Sequence, residues 1–521
     1  MRSGFLKSGE PLIWLTGGAL AACLIMIAGL VVVVAYNALG AFWPRDLVTY
    51  TTTAGTKSMG QMWSAEPDRG RVQLKVGNRD VYGADFKWID TTPTTQVTVT
   101  PDAVAFERRE WGDYYGFVEG VYEGERRLAP GGNVGWAEVR ASIAEAHEVF
   151  GKIRGLETGG LESLDREIQD LKLTQKTAPG PEVDQQLADA WRRYEALTVT
   201  VDELRERLER VVFAVVTVDG KRSRIKAGDV VSAHRPNGLG TVEKMAIYLG
   251  RVWAFVVDEP RESNTEGGVF PAIFGTVMMV FLMSLAAVPF GILAALYLRE
   301  YVKQGPLVRA IRIAVNNLAG VPSIVFGMFG LGFFVYGVGG TIDQLFYPDR
   351  LPAPTYGTGG ILWASLTLAL LTVPVMIVSA EEALASVTRE VREGSLALGA
   401  TKFQTILRVV LPGALPGILT GIILVISRGA GEVAPLMITG VVKLAPSLPL
   451  DTSFPFFHLE RKFMHLGFHI YDVGFQSPNV EAARPMVFTT TLLLMAIVLL
   501  LNIAAIVFRS RVRKRLTGSA V

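Results

Sequence analysis

Two charges stand inside an apolar run in the C-terminal part of the chain. They are Arg428 and Glu432, in the segment LPGILTGIILVISRGAGEVAPLMITG. Four residues apart, they fall on one face of a helix and can pair. A charge deep in a bilayer costs about 2.5–3.5 kcal/mol on insertion scales, so it usually faces a bundle interior or an aqueous path. An arginine in such a place has a defined chemistry, because its planar fork donates two hydrogen bonds to a tetrahedral oxyanion. Gly429 and Gly431 thin the helix around these charges and permit close approach or a local break. Pro435 follows and kinks or ends the helix. Asn316, Asn317 and Ser323, around a Gly-Val-Pro-Ser run whose Pro322 should bend its span, add neutral donors of the kind a low-affinity anion path would use. The same five residues serve equally well as a lock between helices.

A second constellation lies between two apolar runs, Glu393 to Pro412, EGSLALGATKFQTILRVVLP. Glu381 to Leu398 and Thr401 to Val410 read as short helices. Gly399 falls where the first must stop and turn, the position at which a residue without Cβ costs least. Pro412 suits the first turn of the next helix, where no N–H is needed. Leu396, Leu398 and Phe403 form a small apolar knob around the turn, ringed by Arg389, Arg392, Lys402 and Arg408.

Catalytic and metal-binding patterns are weak. Gly394 to Lys402 has two glycines at phosphate-loop spacing, but Ala400-Thr401 stands where Lys-Ser/Thr must follow, and no strand precedes it. His465 and His469 are spaced to share a helix face, yet no third ligand is nearby, so they read as ordinary loop residues. No Ser, His and Asp are brought together by the sequence.

The elements that position these residues are membrane spans. The chain has 521 residues, half of them apolar, with mean hydropathy +0.33. Six segments are long and uncharged enough to span a bilayer: Leu12 to Tyr36, Val269 to Leu298, Ile313 to Tyr336, Ile361 to Ala380, Leu415 to Ile438 and Met486 to Phe508. The fifth is the exception on charge. Basic residues set the orientation. Arg2 and Lys7, Arg299, Lys303, Arg309 and Arg312, the four around Gly399, and Arg509, Arg511, Arg513, Lys514 and Arg515 fall on one side. Arg350, Lys443, Arg461, Lys462 and Arg484 fall in the short loops of the other. Both termini are thus expected in the cytoplasm. The net charge of +2 decides nothing about partners, and no nucleic acid is expected. Leu12 to Tyr36 exceeds a signal-peptide core and reads as a retained anchor. The single cysteine, Cys23, lies in that span, so the large region outside has no disulfide of its own.

That region, Gly40 to Gly268, has the composition of a soluble domain, and its patterns read as α+β. Asn78 to Thr100 alternates and suits strands. Phe213 to Val231 reads as a hairpin turning at Asp219-Gly220. Between them, Ile143, Ala146, Phe150 and Ile153, then Leu161, Leu164, Ile168 and Leu171, repeat at helical spacing. After Thr177-Ala-Pro-Gly-Pro181 the pattern resumes with Leu187, Trp191, Tyr194 and Leu197 and then Val201, Leu204, Leu208 and Val211. Heptad-like spacing with charges between predicts a coiled-coil hairpin over about 140–211, its first arm interrupted by Gly155, Gly159 and Gly160. The predicted fold is an all-α, six-span membrane protein carrying an inserted α+β extracytoplasmic domain. Its divisions are 1–39, 40–268, 269–508 with a loop at 381–412, and a basic tail 509–521.

Glu393, Gly399, Val409, Leu411 and Pro412 sit at the spacing of the cytoplasmic coupling loop of ABC importer permeases, with Gly394-Ser395 in place of the usual Ala-Ala. The segment resembles that loop. GVPSIVFGMFGLGFF (Gly320 to Phe334) and SRGAGEVAPLMITG (Ser427 to Gly440) resemble the A permeases of phosphate-specific ABC importers, Ala434-Pro435-Leu436 favouring A over the sister C type. The resemblance covers roughly Val269 to Arg515 and implies a type I importer permease fold. It implies a heterodimer with a sister permease, two ATPase subunits that hold ATP and Mg, and an extracytoplasmic phosphate-binding protein. This chain itself would hold no cofactor and no metal and would not be an enzyme, in the lipid of a bacterial inner membrane. Glu393, Leu396, Leu398, Gly399 and Phe403 would couple to the ATPase, and alternating access would move phosphate. The alternatives are a C-type permease, a permease for another oxyanion, and, from a different class, a membrane sensor. A sensor would lack a reason for four further spans.

Overall fold

A computed structural model describes residues 10–518, except 53–54, 93–94, 452–453, 455 and 478. The basic N-terminal residues Arg2 and Lys7 therefore lie outside the described residues. The chain divides into two compact units: an inserted domain, Phe42–Gly268, and a span bundle made of the rest.

Among the described residues of the bundle, six helices are long and apolar enough to cross a membrane: Ile13–Ala41, Phe270–Tyr301, Ser323–Phe346, Ile361–Ala385, Lys402–Gly431 and Val480–Lys514. The chain is a multi-pass membrane protein. Span four is the best-covered helix and forms the centre. Leu368 and Met376 of span four, Met279 and Met283 of span two and Val425 of span five make one core with essentially no solvent exposure. Small residues bring the backbones together, as helix packing in lipid requires. A Cβ on Gly291 would run into Met376, and one on Gly417 would meet the Ala383 Cβ at 2.6 Å. Span one packs on span six and shows lipid almost its whole surface.

The third span differs from expectation. Ile313 does not begin it. Residues Pro306–Leu318 form a separate amphipathic helix, and span three starts at Ser323. Pro322 does not bend a continuous span; the chain turns out of helix at Gly320 and Val321 and re-enters after the proline, which cannot continue a helix from the preceding turn.

The inserted domain holds two antiparallel sheets. Its strands are β1 Leu47–Thr51, β2 Lys57–Glu66, β3 Arg71–Lys75, β4 Phe86–Asp90, β5 Gln96–Val99, β6 Val104–Arg108, β7 Tyr114–Glu123, β8 Arg126–Pro130, β9 Val211–Val216, β10 Arg222–Lys226, β11 Val230–His234, β12 Pro260–Arg261 and β13 Glu266–Gly267. The first sheet runs β4-β3-β2-β1-β5. The second runs β10-β9-β7-β6-β11, with β8 on β7, and β12 pairs with β13 alone. The β9–β10 hairpin closes at Thr217–Lys221, with Gly220 at φ +88°.

The helical hairpin is present, but its glycines do not interrupt it. Its first arm runs from Gly132 through a π-helical turn at Leu156–Leu161 to Thr177, and its second from Pro181 to Arg210. The extra residue of a π turn absorbs the glycines without ending the helix. The root of the hairpin belongs to the sheet core: Val139, Ile143 and Ala146 pack with Phe106, Val121, Phe213 and Val215. Beyond it, Val149, Ile153 and Val201 bind the arms together.

Charges are also half-buried in this domain. The Lys75 ammonium lies 2.6 Å from Asp113, which also accepts from the Tyr115 hydroxyl at 3.0 Å. Burial alone would raise the Asp113 carboxyl, but Lys75 holds it down at about 2. Arg261 pairs with Glu107 at 2.5 Å. Glu266, on β13, is raised to about 7 by burial and by the negative charge of Asp113. Burial, aided by Arg251, pushes His234 down to about 4.

Candidate gate and coupling loop

The helix of span five stops at Gly431. Glu432 leaves helical geometry, with φ −80° and ψ 134°, and a short helix, Ala434–Thr439, follows. Arg428 and Glu432 are therefore not on one helix face, and the helix ends before Pro435 rather than at it. The turn still leaves Arg428 Nε 3.9 Å from Glu432 Oε1. That is an ion pair without a hydrogen bond, and both side chains are half-buried. The other end of the guanidinium reaches the break before span three, where it donates to the Ala319 carbonyl at 3.5 Å. Ala319 caps the C-terminal end of the Pro306–Leu318 helix. Free carbonyls there carry partial negative charge and favour a cation.

The two glycines have separate uses. A Cβ on Gly429 would collide with Met283 of span two, so this glycine serves close packing. Gly431 has open space around it and marks the break. The short helix after the break lies against span three, where a Cβ on Gly327 would approach Pro435 Cα at 2.8 Å. Ser323, half-buried, opens span three. Asn316 and Asn317 are exposed on the last turn of the preceding helix, not within a span. Among the described residues, Arg428 makes no hydrogen bond to any of these three. The structure thus assembles Arg428, Glu432 and two interrupted helices at one place. One residue earlier, the Ser427 hydroxyl bonds Asn502 of span six at 2.7 Å, a link sequence reasoning missed. Its signal was the lone Asn in the apolar run LLLNIAAIVF.

The loop between spans four and five is built differently from expectation. Span four continues through Glu381 to Ala385. The loop's own helix is the nine residues Arg389–Ala397. It ends at Gly399, with φ +87°, a left-handed position that glycine occupies at least cost. Thr401 then caps a new helix, accepting from the Gln404 N–H while the Gln404 side chain accepts from the Thr401 N–H. This is a reciprocal capping box. The new helix is not separate from span five. It runs on to Gly431 through a π-helical turn at Ile406–Val410. That turn sits where Pro412 supplies no N–H and would crowd the preceding carbonyls.

Leu398 is 91% exposed, Phe403 63% and Leu396 47%, so the apolar knob points outward. Glu393 lies on the exposed face and pairs with Arg389 at 3.0 Å. The side facing the bundle is tied down. Arg392 pairs with Glu300 at the end of span two at 3.0 Å and donates to the Leu384 carbonyl at 2.6 Å. Arg312 pairs with Glu381 at 3.2 Å. Ser395 and Thr405 share a hydrogen bond at 3.0 Å across the turn. Glu300, Glu381 and Arg312 escaped sequence reasoning because each pairs with a residue distant in the chain.

His465 and His469 are not ordinary loop residues: both are buried. His465 caps the helix Leu466–Tyr471 by accepting from the Gly467 N–H at 3.1 Å, and His469 lies 3.4 Å from the Thr490 hydroxyl. Burial pushes both imidazoles down to about 4, so they are neutral at pH 7. Among the described residues, no group of three or more His, Cys, Asp and Glu is placed to hold a metal ion.

Residues 287–516 match the model of the family described as binding-protein-dependent transport system inner membrane component. The chain is 32% identical over 196 residues to the probable ABC transporter permease protein YqgH of Bacillus subtilis, covering 37% of this chain and 59% of that one. It is 34% identical over 186 residues to the phosphate transport system permease protein PstA of Mycobacterium leprae, covering 36% and 55%. These alignments span less than two thirds of either relative. A longer match runs to the probable ABC transporter permease protein YqgI of B. subtilis, 31% identical over 272 residues, covering 51% of this chain and 85% of that one. The matched region holds the loop, the break at Gly431 and the spans that position them, and the chain belongs to the family of inner-membrane components of binding-protein-dependent transport systems.

Proposed function

We propose that this chain is an A-type permease subunit of an ATP-driven importer of inorganic phosphate. It stands in a bacterial cytoplasmic membrane with both termini inside. A sister permease completes the path. Two ATPase subunits carry ATP and Mg, and one of them docks at the exposed knob of Leu396, Leu398, Gly399 and Phe403 beside Glu393. A phosphate-binding protein delivers solute from outside. This chain supplies no catalytic group of its own.

One observation carries the reading: Arg428 stands at the junction of two interrupted helices, within the residues that match the permease family, in a chain similar to a phosphate permease. A guanidinium held, among the described residues, by a long carbonyl contact and a loose ion pair can exchange those partners for a phosphate oxygen. Ser323 opens the neighbouring helix, and Asn316 and Asn317 line the approach with neutral donors. The loop helix transmits motion through Arg392–Glu300 and, across the turn at Gly399, to the helix from Lys402 that runs unbroken into span five. Closing the ATPase dimer moves the knob, the helix from Lys402 to Gly431 moves as one piece, and the junction at Gly431 opens or shuts.

The test is uptake. The complete complex, reconstituted in vesicles with ATP and the binding protein, should accumulate labelled phosphate, and excess sulfate should not compete. Preferential uptake of sulfate or another oxyanion would move the chain to that substrate. ATP-independent binding with no uptake would overturn the importer reading.

A further inference from the structure

The helix Thr241–Val257 of the inserted domain is built inside out. Its cations point inward. Lys244 is largely covered and lies 2.6 Å from Asp46, and Arg251 donates toward the Phe42 carbonyl at 3.5 Å. Its apolar side chains point outward. Val242 is 84% exposed, Trp253 70%, Leu249 59%, Met245 45% and Val257 40%. At 100° per residue these five fall within one arc about 120° wide. Ala246 and Gly250 complete the arc. Glu243, at its edge in the first turn, is engaged by the Gly240 N–H at 2.9 Å. A helix facing water would be turned the other way.

This helix lies close in sequence to span two and packs on the residues that follow span one. Its inner face packs on Phe42 and Trp43: Phe42 lies 5.4 Å from Phe255 and 6.3 Å from Tyr248, and Trp43 6.0 Å from Tyr248. Phe42 directly follows Ala41, the last residue of span one, whose surface is open to lipid. Span two begins at Phe270, shortly after the helix ends. The face opposite the stripe thus packs on the residues that follow directly on span one in the chain. Tyr36, Trp43 and Trp253 are aromatics of the kind that settle at the headgroup level.

We infer that the outer face of Thr241–Val257 is a membrane-interface helix, seated in the headgroup and upper acyl layer of the leaflet where span one ends. The inverted face explains why five large apolar side chains remain uncovered. The helix then holds the inserted domain on the bilayer at a third point, besides the two chain connections. This inference does not depend on which solute is carried.

Site-directed spin labelling tests it. In a Cys23→Ser background, the full chain with Leu249→Cys or Trp253→Cys is labelled and reconstituted in vesicles of phosphatidylethanolamine and phosphatidylglycerol. A label at Glu203, exposed on the second hairpin arm, is the water reference. Accessibility to oxygen relative to a water-soluble nickel chelate should be several-fold higher at 249 and 253 than at 203. Both substitutions are at exposed positions and leave the packed face intact. A water-like ratio at both sites would overturn the inference. So would low accessibility to both reagents, which would mark a protein partner covering the stripe.

Discussion

Arg428 carries the most specific residue-scale expectation. If the Arg428–Glu432 pair were a lock, breaking either partner would have similar effects. The 3.9 Å separation makes a weak lock. The contact to the Ala319 carbonyl ties the guanidinium instead to the interrupted helices. Arg428→Gln is therefore expected to abolish phosphate uptake with normal amounts of the chain in the membrane, while Glu432→Gln keeps part of it. Substantial uptake by Arg428→Gln would leave the pair as structure. Glu266 gives a second expectation, in the inserted domain. Its folded pKa of about 7 lies above the usual 4.5. The folded state thus binds the proton more tightly, and stability from this group is present below about pH 4.5 and lost as pH rises through 7. Glu266→Gln should remove that loss. Hydrogen exchange of β6 and β7 in the full chain should slow relative to the parent by an amount that grows from about pH 5 to about pH 8, on the order of 2 kcal/mol. His234 titrates in the opposite sense, its neutral form favouring the fold as pH rises from 4 to 6.5, and cancels in the comparison. A pH-independent difference would show that Glu266 does not titrate there.

At the scale of elements, the sequence made local features legible and left long-range ones hidden. Gly399 was readable as a turn because glycine before a capping Thr is a local signal, and the structure gives it φ +87°. The β9–β10 hairpin was readable for the same reason, through Asp219-Gly220. Apolar periodicity revealed the helical hairpin. It could not reveal that Gly155, Gly159 and Gly160 are carried through by a π turn, because that depends on the partner arm. Of the first sheet, β1 to β3 were missed: residues such as Ser58, Gln61 and Gln73 break simple alternation. The end of span five was misjudged because Pro435 looked like the stop, whereas Gly431 is. Packing also determines what can be removed. Leu208 lies against Gly228 and the sheet core, so an excision reaching Leu208 would damage the domain. Replacing residues 162–196 by a short Gly-Ser linker spares Val149, Ile153 and Val201 and should leave phosphate uptake measurable. Background uptake with an assembled complex would make the distal hairpin part of transport. At the exposed turn, Gly399→Asp should abolish uptake without loss of the chain. Open space surrounds the site, so the effect would come from the charge on the knob and about 1 kcal/mol of backbone cost, not from a clash.

For the whole molecule, the two units make one prediction about sidedness. The basic residues of Arg299 to Arg312, of the loop around Gly399 and of the last turns of span six must share a side if the six helices alternate. Their count is far larger than that of the opposite short loops. The structure adds a constraint that charge counting lacks. Arg392–Glu300 and Arg312–Glu381 join the loop after span two to the loop after span four, so those two loops lie on one side of the bundle. Span six then ends on that same side, because two crossings, spans five and six, separate its end from the loop after span four. The inserted domain falls in sequence between spans one and two and is expected on the opposite side of the membrane. A reporter fused after Arg515 or placed at Lys402 is expected to read as cytoplasmic, and one at Pro179, in the bend of the helical hairpin, as extracytoplasmic. Pro179 is a suitable site because the bend joins two helices at an exposed tip, away from both cores. Three crossings separate Pro179 from Lys402, so a cytoplasmic reading at both would require an odd number of crossings between them to be lost or gained. That result would overturn the six-span arrangement and, with it, the placement of the knob beneath the membrane and of Arg428 within it.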